Sequence, residues 1–465
     1  MPSRILLISV NRCTSPDPVF PLGLAHINAA LRHAGHETRW VDCNVNGDSL
    51  LETLTGFQPD FVGISLRNID DVLIRQQETY YDGLATLRDT IRQHSRCPII
   101  LGGSGFSIFP EKLLALTGAD YGIAGEGEPG ILALIDALKN GGGFGQVPSL
   151  VHRQDGKIVI NPLTPGLIDL QLTEADRPPE IARTYLAASD TLNLQTQRGC
   201  HFLCCYCTYP VIEGKNNRRR PPEMVAAELE NLQQQGAKFV FIVDSVFNST
   251  PRHVTEICEA ILRRNVKISW SCFLRPRGLT AELMDLMARA GLTHIEFGTD
   301  SFSDVTLKTY AKHFTFEDVF ESSELARKRN IDYCHFLICG GPGETAATLQ
   351  EGFDNSLRLK NTTIMAFVGM RIYPGTPLFT QAVAEGIIQA DADLLAPAYY
   401  LAPGLTEEMI FTKLRAFSQR SPSWVAGDPP PGYQEVIKRL RKRGVAGPLW
   451  SYLSTVQRLW QPTPK

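Results

Sequence analysis

Residues 198 to 207 read Arg-Gly-Cys-His-Phe-Leu-Cys-Cys-Tyr-Cys. Cysteines at positions 200, 204 and 207 form a C-x3-C-x2-C pattern that offers three thiolates from one loop. A four-iron cubane held by three thiolates keeps one iron open for a further ligand. Structural zinc usually takes four ligands from two separated C-x2-C pairs. The spacing therefore favours an iron–sulfur cluster. The zinc alternative requires His201 as its fourth ligand, because Cys205 adjoins Cys204 and one turn hardly points both thiols at one metal.

The other cysteines indicate the redox environment of the chain. There are 11 cysteines in 465 residues, an odd number, and the start of the chain is too short and too polar for a signal peptide. A disulfide framework is therefore not expected, and a reduced, cytosolic chain is. The seven cysteines outside the loop are expected to be small buried apolar side chains.

Composition excludes several classes of protein. Apolar residues make up 43% and charged residues 20%, which is a globular balance. The formal charge of −3 gives no argument for a nucleic-acid partner. No run of 18 apolar residues occurs, so no membrane-spanning helix is expected.

Residues 1–144 alternate between buried strand patterns and helical patterns, which predicts a doubly wound parallel α/β sheet. The expected strands are Arg4–Val10, Thr38–Val41, Phe61–Leu66, Pro98–Gly103 and Asp120–Ala124. Such sheets bind ligands beyond the carboxyl ends of their strands, where small residues allow close approach. The run Gly102-Gly103-Ser104-Gly105 follows the fourth strand and is not a dinucleotide fingerprint. Tight turns are its alternative explanation.

Residues 186–385 contain a second series of strand–helix units around the cysteine loop. Counting the strand before Cys200, six units are expected. The later strands are Lys238–Asp244, Lys267–Arg275, His294–Ser301, Tyr333–Gly343 and Phe367–Ile372. The fourth of these ends in a glycine-rich run that continues to Thr345.

The cysteine loop, with an aromatic residue before the last cysteine, resembles the motif of the radical S-adenosylmethionine (SAM) superfamily. Six strand–helix units match the partial (β/α)6 barrel of that superfamily. A doubly wound domain ahead of such a barrel resembles the cobalamin-dependent subclass, and the resemblance covers about residues 1–380. It implies three cofactors, namely a 4Fe-4S cluster, SAM and cobalamin. Cys200, Cys204 and Cys207 are the implied cluster ligands.

The resemblance also implies residues that contact SAM. Ile338 and Gly340 match the strand that lines the adenine. Tyr206 would pack on the adenine, with ordinary packing in the barrel as its alternative. Because an arginine can pair with a carboxylate through two hydrogen bonds, Arg275 is the candidate to bind the SAM carboxylate. Asp244 and Ser245 stand where relatives carry a glycine-rich motif for the SAM amino group. Glu296 requires a partner inside an apolar strand, which would be a ribose hydroxyl or a barrel arginine. Tyr310 and Tyr373 are candidates to face the substrate.

A cobalamin site would lie at the carboxyl ends of the first sheet. The D-x-H-x-x-G motif, whose histidine ligates cobalt, does not occur, so the lower face of cobalt would meet Arg67 or Asn68. A salt-bridged loop residue is the alternative for Arg67. The remaining residues expected to line this site are Ser65, Gly102, Gly103, Ser104, Gly125 and Glu126.

Residues 145–185 are expected to be a linker with a hairpin from Pro148 to Pro162. Residues 386–465 are expected to form a small, mostly helical region. Its basic end, which includes Trp450 and Trp460, suggests peripheral contact with an anionic membrane or a lipid-like substrate. The alternative is a helix packed on the barrel with its charges in water.

The function expected from this resemblance is transfer of a methyl group from methylcobalamin to an unactivated carbon. A 5′-deoxyadenosyl radical would first abstract hydrogen from a small-molecule substrate, and a flavodoxin or ferredoxin would supply the electron. A cyclase or oxygenase with the same cofactors, acting on a lipid, tetrapyrrole or natural product, is the second interpretation. A zinc-bearing binding protein is the third.

Overall fold

The computed structural model describes residues 2–14, 17–164, 175–426 and 433–453. These residues form two compact units. The first comprises the described residues of Met1–Asp71, Gln76–Ala187 and Thr208–Arg218. The second comprises those of Val72–Arg75, Ala188–Cys207 and Arg219–Lys465. Each unit is organised around one seven-stranded sheet.

The sheet of the first unit has the order β2-β1-β3-β4-β5-β6-β7, in which β1 to β5 are parallel. Its strands are β1 (Arg4–Ser9), β2 (Glu37–Asp42), β3 (Phe61–Ser65), β4 (Ile99–Gly102), β5 (Tyr121–Ile123), β6 (Leu150–Gln154) and β7 (Lys157–Ile160). Its helices are α1 (Leu22–His33), α2 (Leu50–Phe57), α3 (Leu84–His94), α4 (Ser104–Ile108), α5 (Pro110–Thr117), α6 (Gly127–Asn140), α7 (Pro179–Ser189) and α8 (Tyr209–Ile212). The five predicted strands and the doubly wound arrangement are confirmed.

Local sequence explains these elements. Residues Ile5 to Ile8 of β1 are fully buried, as a strand covered by helices on both faces requires. The predicted hairpin forms β6 and β7, and its turn residues Asp155 and Gly156 have the positive φ values of 50° and 78° that a two-residue hairpin turn needs. The segment 145–185 therefore does more than link, because β6 pairs with β5 and extends the sheet.

The sheet of the second unit has the order β18-β15-β14-β13-β12-β11-β8, with all neighbours parallel. The strands of this part of the chain are β8 (Thr191–Leu194), β9 (Gln197–Arg198), β10 (Arg218–Arg219), β11 (Phe239–Ile242), β12 (Ser269–Leu274), β13 (Leu292–Asp300), β14 (Asp332–Cys339), β15 (Thr363–Val368), β16 (Met370–Arg371), β17 (Tyr399–Tyr400) and β18 (Trp424–Ala426). The helices are α9 (Pro222–Gln234), α10 (Pro251–Arg263), α11 (Ala281–Arg289), α12 (Asp304–Thr309), α13 (Phe316–Arg327), α14 (Ala346–Ser356), α15 (Pro377–Ala384), α16 (Glu407–Ser418) and α17 (Tyr433–Lys442).

The six strands β8 and β11 to β15 follow the predicted order of a partial barrel. Threonine caps such as Thr315 and Thr345 begin the helices between them, each with a capping box. The seventh strand, β18, was not predicted. It lies in the region expected to be helical and pairs with β15.

The tail packs on the barrel strands. Tyr433, Ile437 and Trp450 are buried in one apolar cluster with Cys334 of β14. In the described part of the tail, these three side chains are therefore covered by the barrel, as the packed-helix alternative predicts. Trp460 lies outside the described residues. Within the described part of the chain, no helix has both the length and the apolar character needed to span a membrane.

Candidate functional site

The cysteine loop follows the carboxyl end of β8. Cys200 is buried, and Cys204 and Cys207 are partly buried. Gly199 precedes the loop with φ of 85°, a left-handed conformation that glycine adopts without strain. The hydroxyl of Ser245 donates a hydrogen bond to the Gly199 carbonyl at 3.1 Å. Residues at the end of β11 thus hold the start of the loop.

Cys205 takes a different direction from its neighbour. Its N–H donates to the carbonyl of Tyr310 at 3.2 Å, and its carbonyl accepts from the N–H of Leu378 at 2.8 Å. Its thiol lies 3.9 Å from the sulfur of Met370. Burial raises the pKa of the Cys205 thiol to about 12. Cys205 is therefore a packed thiol, and the three cysteines of the C-x3-C-x2-C pattern remain as the donor set.

The donor set fits a cubane. Among the described residues, no three His, Cys, Asp or Glu side chains converge closely enough to hold a single metal ion. A cubane requires no such convergence, because each cysteine binds a different iron. His201, which the zinc alternative requires, is exposed. Three thiols remain as donors, because the fourth, that of Cys205, packs against Met370. Three donors match a 4Fe-4S cluster in which one iron is left open for a ligand that is not a cysteine.

Ser245, which was expected to contact the SAM amino group, lies beside the start of the cysteine loop. Burial raises the pKa of Cys200, while a hydrogen bond from the Phe202 backbone acts in the opposite direction. A donor of this kind stabilises a thiolate. The Ser245 hydroxyl supports the backbone just before Cys200, through its bond to the Gly199 carbonyl.

Asp244 is fully buried, and its carboxylate accepts hydrogen bonds from protein groups. Its carboxylate accepts from the N–H of Thr196 at 2.6 Å, from the N–H of Gln197 at 3.2 Å and from the Thr196 hydroxyl. Thr196 in turn contacts His253 Nε2 at 2.8 Å. These bonds hold the segment that leads into the cysteine loop. Asp244 was expected to accept a hydrogen bond from the SAM ammonium. In the structure, both of its carboxylate oxygens already accept hydrogen bonds from the protein.

Arg275 is held beside the cysteine loop. Its guanidinium lies 3.6 Å from the centre of the Phe202 ring and donates to the Lys312 carbonyl. Its backbone N–H donates to Asn248 Oδ1 at 2.8 Å. Burial lowers the pKa of Arg275, and the nearby Cys204 acts in the opposite direction. The side chain is thus a fixed cation near the thiols.

Tyr206 is anchored by two residues that sequence reasoning missed. Its hydroxyl donates to Asp300 Oδ2 at 2.6 Å, and Lys312 Nζ lies 2.6 Å from the same oxygen. Asp300 ends β13, at the sheet edge where parallel strands present functional residues. That position was the signal that could have identified it.

Glu296 lies four residues before that edge, within the same strand. Its carboxylate accepts from the indole N–H of Trp450 at 3.0 Å. Burial raises the pKa of Glu296 to about 7, and the Trp450 hydrogen bond acts in the opposite direction. Among the described residues, the partner of Glu296 is this indole and not the predicted barrel arginine. The partner comes from the tail, 154 positions away.

The glycine-rich strand end is filled by protein side chains. Gly340 has φ of 96°, and a Cβ there would lie 2.7 Å from Leu401 Cδ2 and 2.9 Å from Ile410 Cδ1. A Cβ on Gly341 would collide with the phenol of Tyr310. Neighbouring side chains therefore fill the directions that a side chain would take at these two positions, which explains why both are glycines. Ile338 is partly buried, and its carbonyl accepts from the Tyr310 hydroxyl at 2.8 Å.

The two tyrosines proposed to face substrate differ. Tyr310 is fully buried, and its hydroxyl also accepts from the Gly341 N–H at 2.9 Å. Burial raises its pKa well above the ordinary value. Tyr373 is partly buried, and the Arg371 guanidinium lies 4.8 Å from its ring centre. The phenol of Tyr310 is thus used within the barrel, and Tyr373 stays a candidate.

In the first unit, the predicted cobalamin residues lie at the carboxyl ends of the strands. Ser65 ends β3 and is in register with Gly102 of β4. Arg67 follows, and its Nε donates to Asn68 Oδ1 at 3.3 Å. Burial lowers the pKa of Arg67, while Cys13 and nearby tyrosines act in the opposite direction. Among the described residues no carboxylate pairs with Arg67, so the salt-bridge alternative is not observed.

The glycine loops of this edge pack tightly. Gly103 has φ of 98°, and a Cβ there would collide with the Leu66 carbonyl. The hydroxyl of Ser104 donates to the Arg67 carbonyl at 2.7 Å. These contacts favour the tight-turn explanation for Gly103 and join the loop to the Arg67 backbone.

Gly125 and Glu126 follow β5. Gly125 has φ of 74°, and a Cβ there would lie 3.2 Å from the Ile212 carbonyl. The carboxylate of Glu126 forms an ion pair with Arg218. Glu126 is therefore engaged with the segment that follows the cysteine loop.

One donor at this edge fits a ligand in particular. Asn11 follows β1 and is 4% exposed, and its Nδ2 has no hydrogen-bond partner among the described residues. A buried unsatisfied N–H is unfavourable unless a ligand or water completes it. With Arg67, it supplies donors suited to the amide-rich periphery of cobalamin.

Comparison with known families identifies two parts of the chain. Residues 8–135 match the family model of the B12 binding domain, and residues 194–354 match that of the Radical SAM superfamily. The first match includes β2 to β5 of the first sheet, and the second match includes β11 to β14 of the second sheet.

Individual relatives match most of the chain. Tryptophan 2-C-methyltransferase of Streptomyces laurentii is 25% identical over 426 residues, covering 77% of this chain and 71% of the relative. Anaerobic magnesium-protoporphyrin IX monomethyl ester cyclase of Rubrivivax gelatinosus is 25% identical over 348 residues, covering 72% and 61%.

A solved structure shares the fold. The radical S-adenosylmethionine methyltransferase TsrM from Kitasatospora setae, with cobalamin and a 4Fe-4S cluster bound, superposes with a TM-score of 0.85 over 99% of both chains at 22% identity. A second structure of that protein contains its tryptophan substrate and the SAM analogue aza-SAM.

Proposed function

Because the chain belongs to the cobalamin-dependent radical SAM family, we propose that it is a C-methyltransferase that acts at an unactivated carbon of a small molecule. Its cofactors are a 4Fe-4S cluster, SAM and cobalamin. When bound, the cluster and SAM supply a 5′-deoxyadenosyl radical for hydrogen abstraction, and methylcobalamin supplies the methyl group. The names of the methyltransferase relatives support methyl transfer over the alternatives.

The observation that carries the proposal is the separation of the four clustered cysteines. The Cys205 thiol packs against Met370 and has a raised pKa, whereas Cys204 and Cys207 are only partly buried. Cys200, Cys204 and Cys207 would hold the cluster. A donor set of three is what leaves one iron available for SAM.

Residues around the loop would orient SAM. Arg275 provides a fixed guanidinium, the group that pairs with a carboxylate through two hydrogen bonds. Tyr206, held by Asp300, presents an aromatic ring beside the last cysteine. In the first unit, Arg67, Asn11, Ser65 and Ser104 would contact cobalamin. An external one-electron donor such as a flavodoxin or ferredoxin would reduce the cluster.

The proposal is tested by anaerobic incubation of the reconstituted protein with SAM carrying a trideuterated methyl group and a metabolite extract. We expect a small molecule that gains the labelled methyl group, together with 5′-deoxyadenosine. The variant Cys204→Ala should form neither. A product that lacks the label but forms with 5′-deoxyadenosine would establish a cyclase or oxygenase instead.

That second candidate is favoured by one specific finding, the cyclase relative of Rubrivivax gelatinosus. Metal analysis of the anaerobically purified protein distinguishes a zinc-bearing binding protein from the two proposed enzymes. Zinc in place of iron would contradict both enzyme proposals.

A further inference from the structure

A short segment between α12 and α13 contacts the cysteine loop at several points. We call Tyr310–His313 the clamp segment. The Tyr310 carbonyl accepts from the N–H of Cys205 at 3.2 Å. The Lys312 carbonyl accepts from the guanidinium that lies over Phe202. The Lys312 ammonium reaches Tyr206 through Asp300. The cysteine loop is thus held by a backbone bond, a stacked ring and a phenol.

The clamp segment is strained where it makes these contacts. Ala311 and His313, on either side of Lys312, have φ values of 58° and 54°, and Asp300 has φ of 66°. Residues other than glycine adopt this left-handed conformation at a cost, which persists only where the surroundings enforce it. Three such residues around one ion pair indicate that the position of Lys312 is enforced.

The ion pair is buried. The side chains of Lys312 and Asp300 are 6% and 4% exposed. Burial by itself would lower the pKa of Lys312, but Asp300 and Cys204 outweigh it and raise the pKa above its ordinary value. Lys312 is therefore an ammonium. Apolar side chains of similar volume often stabilise a fold as well as a buried ion pair does, so stability alone does not explain this pair.

The charged side chains around the cysteine loop affect how readily a 4Fe-4S cluster bound there is reduced. Reduction adds one electron from the external donor to a cluster that already carries thiolate charge. The buried carboxylate of Asp300 is bonded to Tyr206 of the cysteine loop, and it disfavours that added charge unless a cation cancels it. Lys312 is the cation that contacts Asp300, and Arg275 is a second cation near the thiols.

We propose that Lys312 is a positioning residue of the cluster site, which fixes Tyr206 through Asp300 and cancels the carboxylate charge so that the cluster accepts its electron. The proposal rests on the proposed function only in requiring the 4Fe-4S cluster. It is independent of which substrate is methylated.

The test measures the ratio of reduced to oxidised cluster by electron paramagnetic resonance at a fixed solution potential, with iron content determined in parallel. We expect Lys312→Met to lower this ratio about tenfold, which corresponds to about 59 mV for one electron. Asp300→Asn should raise the ratio, because it leaves the ammonium uncompensated. The double variant should return to within about threefold of the wild-type ratio, and Lys312→Arg should stay there as well.

A matched control is Lys238→Met, which removes an exposed Lys–Asp pair of the same unit and should leave the ratio unchanged. Shifts of the same sign in Lys312→Met and Asp300→Asn, or no shift in either with iron retained, would overturn the proposal. If Lys312→Met loses iron, retention of iron by the double variant and by Lys312→Arg supports the charge argument, and loss in all three refutes it. Absence of iron from the wild-type protein would instead refute the proposed function.

Discussion

The cysteine loop of the second unit and the strand ends of the first unit differ in whether selected polar side chains have hydrogen-bond or ion-pair partners within the protein. Around the loop, Asp244, Asp300 and Arg275 all have partners from the protein. At the strand ends of the first unit, Asn11 Nδ2 has no partner and Arg67 has no carboxylate among the described residues. The first arrangement is preformed by the chain, whereas the second leaves donors for a ligand to complete.

The difference matches the chemistry of the two cofactors. A cluster is held by bonds from sulfur to iron, so its ligands must be positioned before it binds. Cobalamin is a large molecule with many amide groups, and hydrogen-bond donors left unsatisfied by the protein gain a partner when it binds.

The largest effect is expected when one of the three donor thiols is removed from the cysteine loop. We expect Cys204→Ala to lose cluster iron and to abolish 5′-deoxyadenosine formation, because two thiolates cannot hold the cubane. Cys205→Ala is the matched control and should retain iron, because its thiol packs against Met370. Metal analysis and product chromatography provide the measurement. Equal iron loss in both variants would show that the four thiols were assigned wrongly.

A smaller effect is expected at the strand ends of the first unit. Arg67→Met should weaken cobalamin binding about tenfold, or about 1.4 kcal/mol, because an enclosed donor group is lost. Equilibrium dialysis with detection by visible absorption measures this change, while the iron content should stay normal. Arg32→Met serves as the control, because it removes an exposed arginine of the same unit that pairs with Asp176. Unchanged affinity in Arg67→Met would remove this residue from the cobalamin site.

Glu296 is a buried carboxylate of the second unit that lies within β13, away from the cysteine loop. Its pKa is raised from 4.5 to about 7, mainly by burial. The protonated form is thus favoured by the fold, and its stabilisation is fully present below pH 4.5 and lost as the pH rises through about 7. The loss amounts to about 3 kcal/mol, and Glu296→Gln should remove this pH dependence.

Chemical unfolding at pH 5 and pH 8 compares the two proteins. Glu223→Gln, at an exposed ion pair, should keep the wild-type pH dependence. If Glu296→Gln also keeps it, the carboxylate is ionised throughout and the structural account of this site is incorrect.

Much of the architecture could be predicted from local sequence. Strands such as β1 and β3 are short apolar runs. In the second unit, helices such as α13 and α14 begin at recognisable threonine residues. Cysteine spacing likewise identified the cluster loop, because the three ligands lie within eight residues. Strand β18 was missed because three residues carry too little periodicity to be recognised.

The two sheets and the cysteine donor set could be predicted from the sequence alone, since each depends on patterns within a few residues of one another. Tertiary structure alone decided that Asp244 supports Thr196, that Glu296 bonds to Trp450 and that Lys312 and Asp300 hold Tyr206. These partners are separated by up to 154 positions. A buried polar group takes whichever partner the packed chain brings within hydrogen-bond distance, and no local pattern specifies that partner.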